Sequence, residues 1–149
     1  MTRVSRSVQL FVNRPLQTAF DYVSDLELHP EWNDGLHIEA LTRDPIGVGK
    51  EYASRGKVSV QENRPNVVRI SQYDRPRLFA FIARDPNFGD VSHEFRFSAQ
   101  DDGVLISRTM VVNLNPVIAL LFRFIVYPLI GQPSMIKSFA DLKKRLESM

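Results

Sequence analysis

From Leu36 to Leu114 the chain runs through strand-like segments separated by turns of only a few residues. A parallel pair needs a crossover of a dozen residues or more, so turns this short force neighbouring strands to pair antiparallel. The segments are Leu36–Thr42, Lys50–Glu62, Val67–Asp74, Arg77–Arg84, Val91–Ala99 and Val104–Leu114. Turn chemistry punctuates them: Asn33-Asp34-Gly35, Arg64-Pro65-Asn66, Arg75-Pro76, a loop over Asp85–Asp90, and Asp101-Asp102-Gly103. In the last of these the Asp-Gly pair is expected to supply the positive φ of a tight hairpin. In the longest segment Tyr52, Ser54, Gly56, Val58 and Val60 share one face, and Glu51, Arg55, Lys57 and Gln61 share the other. That alternation is the mark of an antiparallel sheet with one wet face.

What flanks the meander is helical. A first alternating strand (Val4, Arg6, Val8, Leu10, Val12) runs into Pro15, which opens a short amphipathic helix with Leu16, Phe20 and Val23 on one face. Asp25 is placed to cap a second short helix that ends in His29-Pro30-Glu31-Trp32. At the C-terminus Met135, Phe139, Leu142, Leu146 and Met149 step by four, three, four and three and form one stripe. Before that stripe lies the apolar run Pro116–Ile130 with Arg123 its single charge. Pro128, Gly131 and Pro133 predict either two helical pieces or a pronounced kink. The run is shorter than the ~20 residues a spanning helix needs, so a buried helix is expected, with an interfacial one as the alternative.

Three stretches, PLQTAFDYVSDLELHPEW, GVGKEY and VVRISQYDRPRLFAF, occur in that order and spacing and, with the strand pattern and the C-terminal helix, carry a resemblance over nearly the whole chain. The chain resembles the START-like or SRPBCC superfamily, the polyketide cyclase/dehydrase and lipid-transport proteins of helix-grip fold. The resemblance implies an α+β domain spanning 1–149: a seven-stranded bent antiparallel sheet around a long C-terminal helix, with two short helices between the first two strands. It also implies an internal cavity for lipids, polyketides or other hydrophobic molecules.

Composition narrows the functions further. The 149 residues suffice for one domain with a real core. A formal net charge of +2, with basic and acidic residues interleaved, gives no electrostatic case for nucleic acid. Absence of cysteine removes thiolate chemistry and disulfides and fits the cytoplasm, as does an N-terminus without a signal-peptide pattern. His29, His37 and His93 lack metal-ligand spacing, and no motif asks for a cofactor.

The candidate ligand wall follows from face parity. Trp32, Tyr52, Val58, Phe79, Phe95 and Phe97 are expected to border the cavity, small Gly56 leaves room in it, and Leu121 or Phe124 closes it from the helix. Each also reads as ordinary core packing. His93 shares parity with Phe95 and Phe97, and Arg108 interrupts the apolar face of Val104, Ile106, Met110 and Val112. With Tyr73 they are the weak catalytic candidates; a sheet-edge position for His93 and a bulge that flips Arg108 outward are the alternatives. Three functions remain: binding or carriage of a hydrophobic small molecule; a polyketide cyclase, aromatase or dehydratase working by the same pocket; and a protein- or membrane-interaction module using the apolar 117–130 segment, with peripheral membrane contact.

Overall fold

The computed structural model describes residues 1–55, 66–85 and 89–149. Strands β1 (Thr2–Val12), β2 (His37–Ala40), β3 (Glu51–Arg55), β4 (Asn66–Asp74), β5 (Leu78–Asp85), β6 (Gly89–Gln100) and β7 (Gly103–Leu114) form one sheet in the order β1-β7-β6-β5-β4-β3-β2. Every pairing is antiparallel. Gly56 and Val58 of the sequence reading lie outside the described residues, as does the turn at Arg64-Pro65.

Between β1 and β2 come α1 (Leu16–Val23) and a 3-10 helix (Leu26–Glu31). Asp25 caps the latter, its Oδ1 accepting from the Glu27 amide at 3.2 Å. After β7, Asn115 caps the next helix by accepting from the Val117 amide at 2.9 Å, with Pro116 at the position where a missing N–H costs nothing. That helix is continuous from Pro116 to Glu147: α2 (Pro116–Leu121), a π-helical stretch (Phe122–Gly131) and α3 (Gln132–Glu147). The expected break is therefore a widened stretch of helix. Pro128 lies inside it, where i→i+5 bonding has taken over from the regular ladder that an internal proline disrupts.

The stripe Met135, Phe139, Leu142 and Leu146 is buried as expected, while Met149 is exposed. Arg14 fastens the far end of the helix: its Nε donates to Leu146 O at 2.7 Å and its Nη2 to Glu147 O at 2.8 Å and to Met149 O. This satisfies carbonyls that a helix C-terminus otherwise leaves without partners.

Burial of the 116–130 run is not what the structure shows. Val117, Ile118, Leu120, Leu121, Phe124, Ile125, Leu129 and Ile130 are 44% to 71% exposed. Only Ala119, Phe122 and Tyr127 are buried from this stretch. The reason is layer count. One helix lies on one sheet, and among the described residues no third layer covers the remaining arc of an all-apolar helix.

The β6–β7 hairpin corrects a second expectation. Positive φ (51°) falls on Asp101, while Gly103 already pairs with Gln100 at the strand start. Gly103 is needed for space instead: a Cβ there would collide with the Val12 carbonyl oxygen and come within 2.8 Å of the Phe11 ring. Gly103→Ala should therefore destabilise the protein by about 1–3 kcal/mol, the usual cost of forced overpacking. Chemical denaturation of the two proteins checks this, and an unchanged midpoint would count against it.

Candidate functional site

The concave face of the sheet carries two packed clusters. The larger joins Phe20, Trp32, Tyr52, Phe79, Phe81, Phe95, Phe97, Phe139, Leu142 and Leu146 with their neighbours. The smaller joins Val4, Val91, Val112, Leu114, Ala119, Phe122, Tyr127 and Met135. Val8 packs on both. Between them runs a row set by register: Val8 opposite Arg108, Arg6 opposite Met110, Met110 opposite His93, and Arg108 opposite Phe95. Arg6, Val8, His93, Arg108 and Met110 are all only partly buried, although packed core lies on either side.

His93 and Arg108 both face inward. The β6–β7 register is uninterrupted, so no bulge flips Arg108, and the ring of His93 stacks on Phe81 at 5.0 Å and 23°. The Arg108 guanidinium lies over the Phe95 ring, 5.3 Å from its centroid. Its Nη2 approaches His93 Nδ1 at 3.3 Å, a contact that leaves Nδ1 the acceptor and puts the imidazole proton on Nε2. The Nε of Arg108 is buried without a hydrogen-bond partner among the described residues. Removal from water lowers the Arg108 pKa to about 10, so the group stays charged at neutral pH.

Trp32, Phe79 and Phe95 are fully buried, and Phe97 is nearly so. They converge on a residue the sequence reading left unused, His29. Its ring lies 4.6 Å from that of Trp32 and about 6 Å from those of Phe79, Phe81 and Phe95. The imidazole donates from Nε2 to the Val23 carbonyl at 2.6 Å, since a carbonyl can only accept. Desolvation, with the Arg108 charge adding to it, pushes the His29 pKa down to about 3. Desolvation, then Arg108, then His29 hold His93 well below the ordinary imidazole value. Both imidazoles are therefore neutral. The signal for His29 was its place three residues before Trp32, which puts both on one side of a 3-10 turn.

Two further donors lack partners among the described residues, Trp32 Nε1 and Tyr52 Oη. Desolvation, reinforced by Asp25 and Glu27, raises the Tyr52 phenol to about 12 and keeps it protonated. Tyr73 stands apart. Its half-buried ring meets Phe20 edge-on at 5.5 Å, and among the described contacts none joins it to His93 or Arg108. A register shift between Ile70 and Gln72 changes the parity of β4 and brings Tyr73 opposite Phe79, which explains its mixed neighbours in sequence. Leu121 and Phe124 are not brought to the wall at all, being 50% and 67% exposed on the outer arc of the helix. No cluster of His, Asp and Glu suited to a metal occurs among the described residues.

The neutral histidines set a pH dependence. Their folded pKa values lie below the unfolded value of about 6.5, so the unfolded chain binds more protons between those limits. Stability contributed by neutral burial is fully present above about pH 6.5 and is lost as pH falls toward the folded values. The slope approaches about 1.4 kcal/mol per pH unit for each histidine that remains neutral while its unfolded counterpart is charged. Melting measured from pH 7 to pH 4.5 should show this decline, and His29→Gln should flatten it. An unaltered slope in the variant would refute the assignment.

Comparison with known proteins agrees with this architecture. A search of curated proteins finds no match. Among solved structures, Ara h 8.0201 superposes with a TM-score of 0.72 at 16% identity, covering 99% of this chain and all of that one. TTHA0849 from Thermus thermophilus gives 0.73 at 15%, covering 97% and 98%. The di-domain ARO/CYC StfQ from the steffimycin biosynthetic pathway gives 0.74 at 11%; this chain is 98% covered and spans about half of that one (52%). At these identities the likeness is one of fold. The family model described as polyketide cyclase / dehydrase and lipid transport matches residues 1–147, and this chain belongs to that family.

Proposed function

We propose that the protein binds a hydrophobic small molecule in a cavity between the concave sheet and the C-terminal helix. The observation that carries this reading is the row Arg6, Val8, His93, Arg108 and Met110. These residues face inward, have core on both sides, and are still incompletely covered. A sheet face under a helix leaves such a row exposed only where the two layers stand apart, and apolar pockets with a few polar groups are what small ligands use. The wall would be Trp32, Phe79, Phe81 and Phe95, with the partnerless Trp32 and Tyr52 donors available to orient a ligand. A cyclase, aromatase or dehydratase activity is less well supported. His93 is the natural acid–base residue of such a pocket, yet its lowered pKa keeps it neutral near pH 7, a weaker base than an ordinary imidazole and not an imidazolium acid.

A specific observation favours a second, compatible role for the 117–130 segment. Its exposed side chains form a contiguous apolar patch of a kind soluble surfaces seldom leave bare. From Gly103 to Ala140 the sequence has no Asp or Glu, and Arg123 is the one charged residue of the apolar run. Apolar side chains together with basic but no acidic charge suit a lipid surface with anionic headgroups. The helix would lie on that surface and place the cavity beside it.

Two measurements test these readings. Nile red, a neutral fluorescent probe, should bind the purified protein, and Val8→Phe should weaken binding about tenfold, the worth of roughly 1.4 kcal/mol, with the fold intact by circular dichroism. An equal affinity in folded Val8→Phe would remove the site from this row. The wild type should co-sediment with vesicles containing phosphatidylserine, and Phe124→Glu with Leu129→Glu should abolish that. A wild type that stays in the supernatant would rule out the membrane role.

A further inference from the structure

We propose that the ligand is an amphiphile whose polar end is a carboxylate, held by Arg108, with its apolar body along Phe81, Phe95 and Trp32. This rests on the ligand-binding reading above and adds the chemical class. The inference begins with one edge of a guanidinium. Arginine grips a carboxylate side-on through Nε and Nη2, and the protein does so on its surface, where Arg75 donates from both atoms to the two oxygens of Asp21 at 2.7 Å. Arg108 presents the same edge inward. There, among the described residues, Nε has no partner and Nη2 has only the long 3.3 Å contact to His93.

Among the described residues no acidic group answers this charge. None of their ion pairs includes Arg108. The titratable groups that act on it or are shifted by it are His29, His93 and Tyr127, and both imidazoles are neutral. A desolvated guanidinium without a counter-ion is a costly arrangement, which an anion arriving with the ligand would relieve. The Arg108 guanidinium offers one positive charge among aromatic rings and matches one negative charge, Arg6 of the same row lying over the Tyr127 ring instead. A carboxylate meets that condition, whereas a dianionic phosphate would bury an excess. The aromatic rings beside Arg108 supply the complementary surface for the apolar body, Phe95 stacked with Phe81 at 6.2 Å and set edge-on to Trp32 at 6.4 Å. The carboxylate could come from a fatty acid or from a polyketide acid, because the recognition is the same.

The test is displacement of Nile red by dodecanoate, dodecan-1-ol and dodecyltrimethylammonium, all below their micellar concentrations. The wild type should prefer dodecanoate to the alcohol by about 10–100-fold, the usual worth of a charge-assisted hydrogen-bonded pair, and bind the cation worst. Arg108→Gln should erase the preference, acid and alcohol then binding within about twofold of each other, a difference of less than about 0.5 kcal/mol. Equal affinity of acid and alcohol in the wild type, which needs no variant to fold, would overturn the carboxylate assignment while the binding reading survives. Retention of the acid preference in folded Arg108→Gln would overturn it as well. Failure of Nile red itself to bind would overturn both readings.

Discussion

One helix covers the concave face of a seven-stranded sheet, and the rest of the molecule follows from how incompletely it does so. Near its C-terminal end Phe139, Leu142 and Leu146 reach the cluster built on α1, the 3-10 helix and the central strands. Near its start Ala119, Phe122 and Tyr127 reach a second cluster on β1, β6 and β7. Between these two contacts lies an interval that neither cluster covers completely. The residues in that interval, Val8, His93, Arg108 and Met110, are the ones that remain partly open. The same single-layer cover leaves the outer arc of the helix bare. Incomplete cover on the inner side and an apolar patch on the outer side therefore have one origin.

The widened helical stretch belongs to this geometry. Phe122–Gly131 carries the exposed apolar residues on one side and the buried Tyr127 on the other. π-helical turns concentrate at functional sites because their bonding is poorer and their backbone wider than that of a regular helix. Pro128 within the stretch removes a donor that regular bonding would use. The helix is thus least regular over Phe122–Gly131 and best fastened at its far end, by Arg14.

The fold was legible because its signals are local and mutually consistent. Turn residues set the strand limits to within a few positions, alternation showed which side faced in, and the stripe Met135, Phe139, Leu142, Leu146 marked the helix face. Two things were not legible for a shared reason: they depend on what lies opposite a residue. The apolar run 116–130 has the composition of a buried helix, and only the lack of a covering layer makes it exposed. Gly103 reads as a turn glycine, whereas its neighbours Val12 and Phe11 come from β1, at the other end of the sequence, and exclude a side chain. In the site, strand parity correctly turned His93 and Arg108 inward. It could not show His29 at the centre of the aromatic wall, because a 3-10 turn has no simple parity, nor the bulge in β4 that redirects Tyr73.

What distinguishes this interior from an ordinary core is the sign and pairing of its polar groups. Buried polar atoms are nearly always matched by partners within the protein. Among the described residues the matching fails in one direction: Trp32 Nε1, Tyr52 Oη and Arg108 Nε are all N–H or O–H groups able to donate, and all lack an acceptor there. The acids near Tyr52, Asp25 and Glu27, act on it only at a distance, and Asp25 is engaged in capping. The two imidazoles could have balanced Arg108 only by accepting from it. His93 does so weakly through Nδ1, and among the described residues His29, which donates from Nε2 to the Val23 carbonyl, makes no hydrogen bond to Arg108. An interior with surplus donors, a fixed positive charge and no carboxylate paired to it is complementary to a molecule that brings acceptors and a negative charge. That asymmetry, more than the size of any gap, is the chemical content of the site.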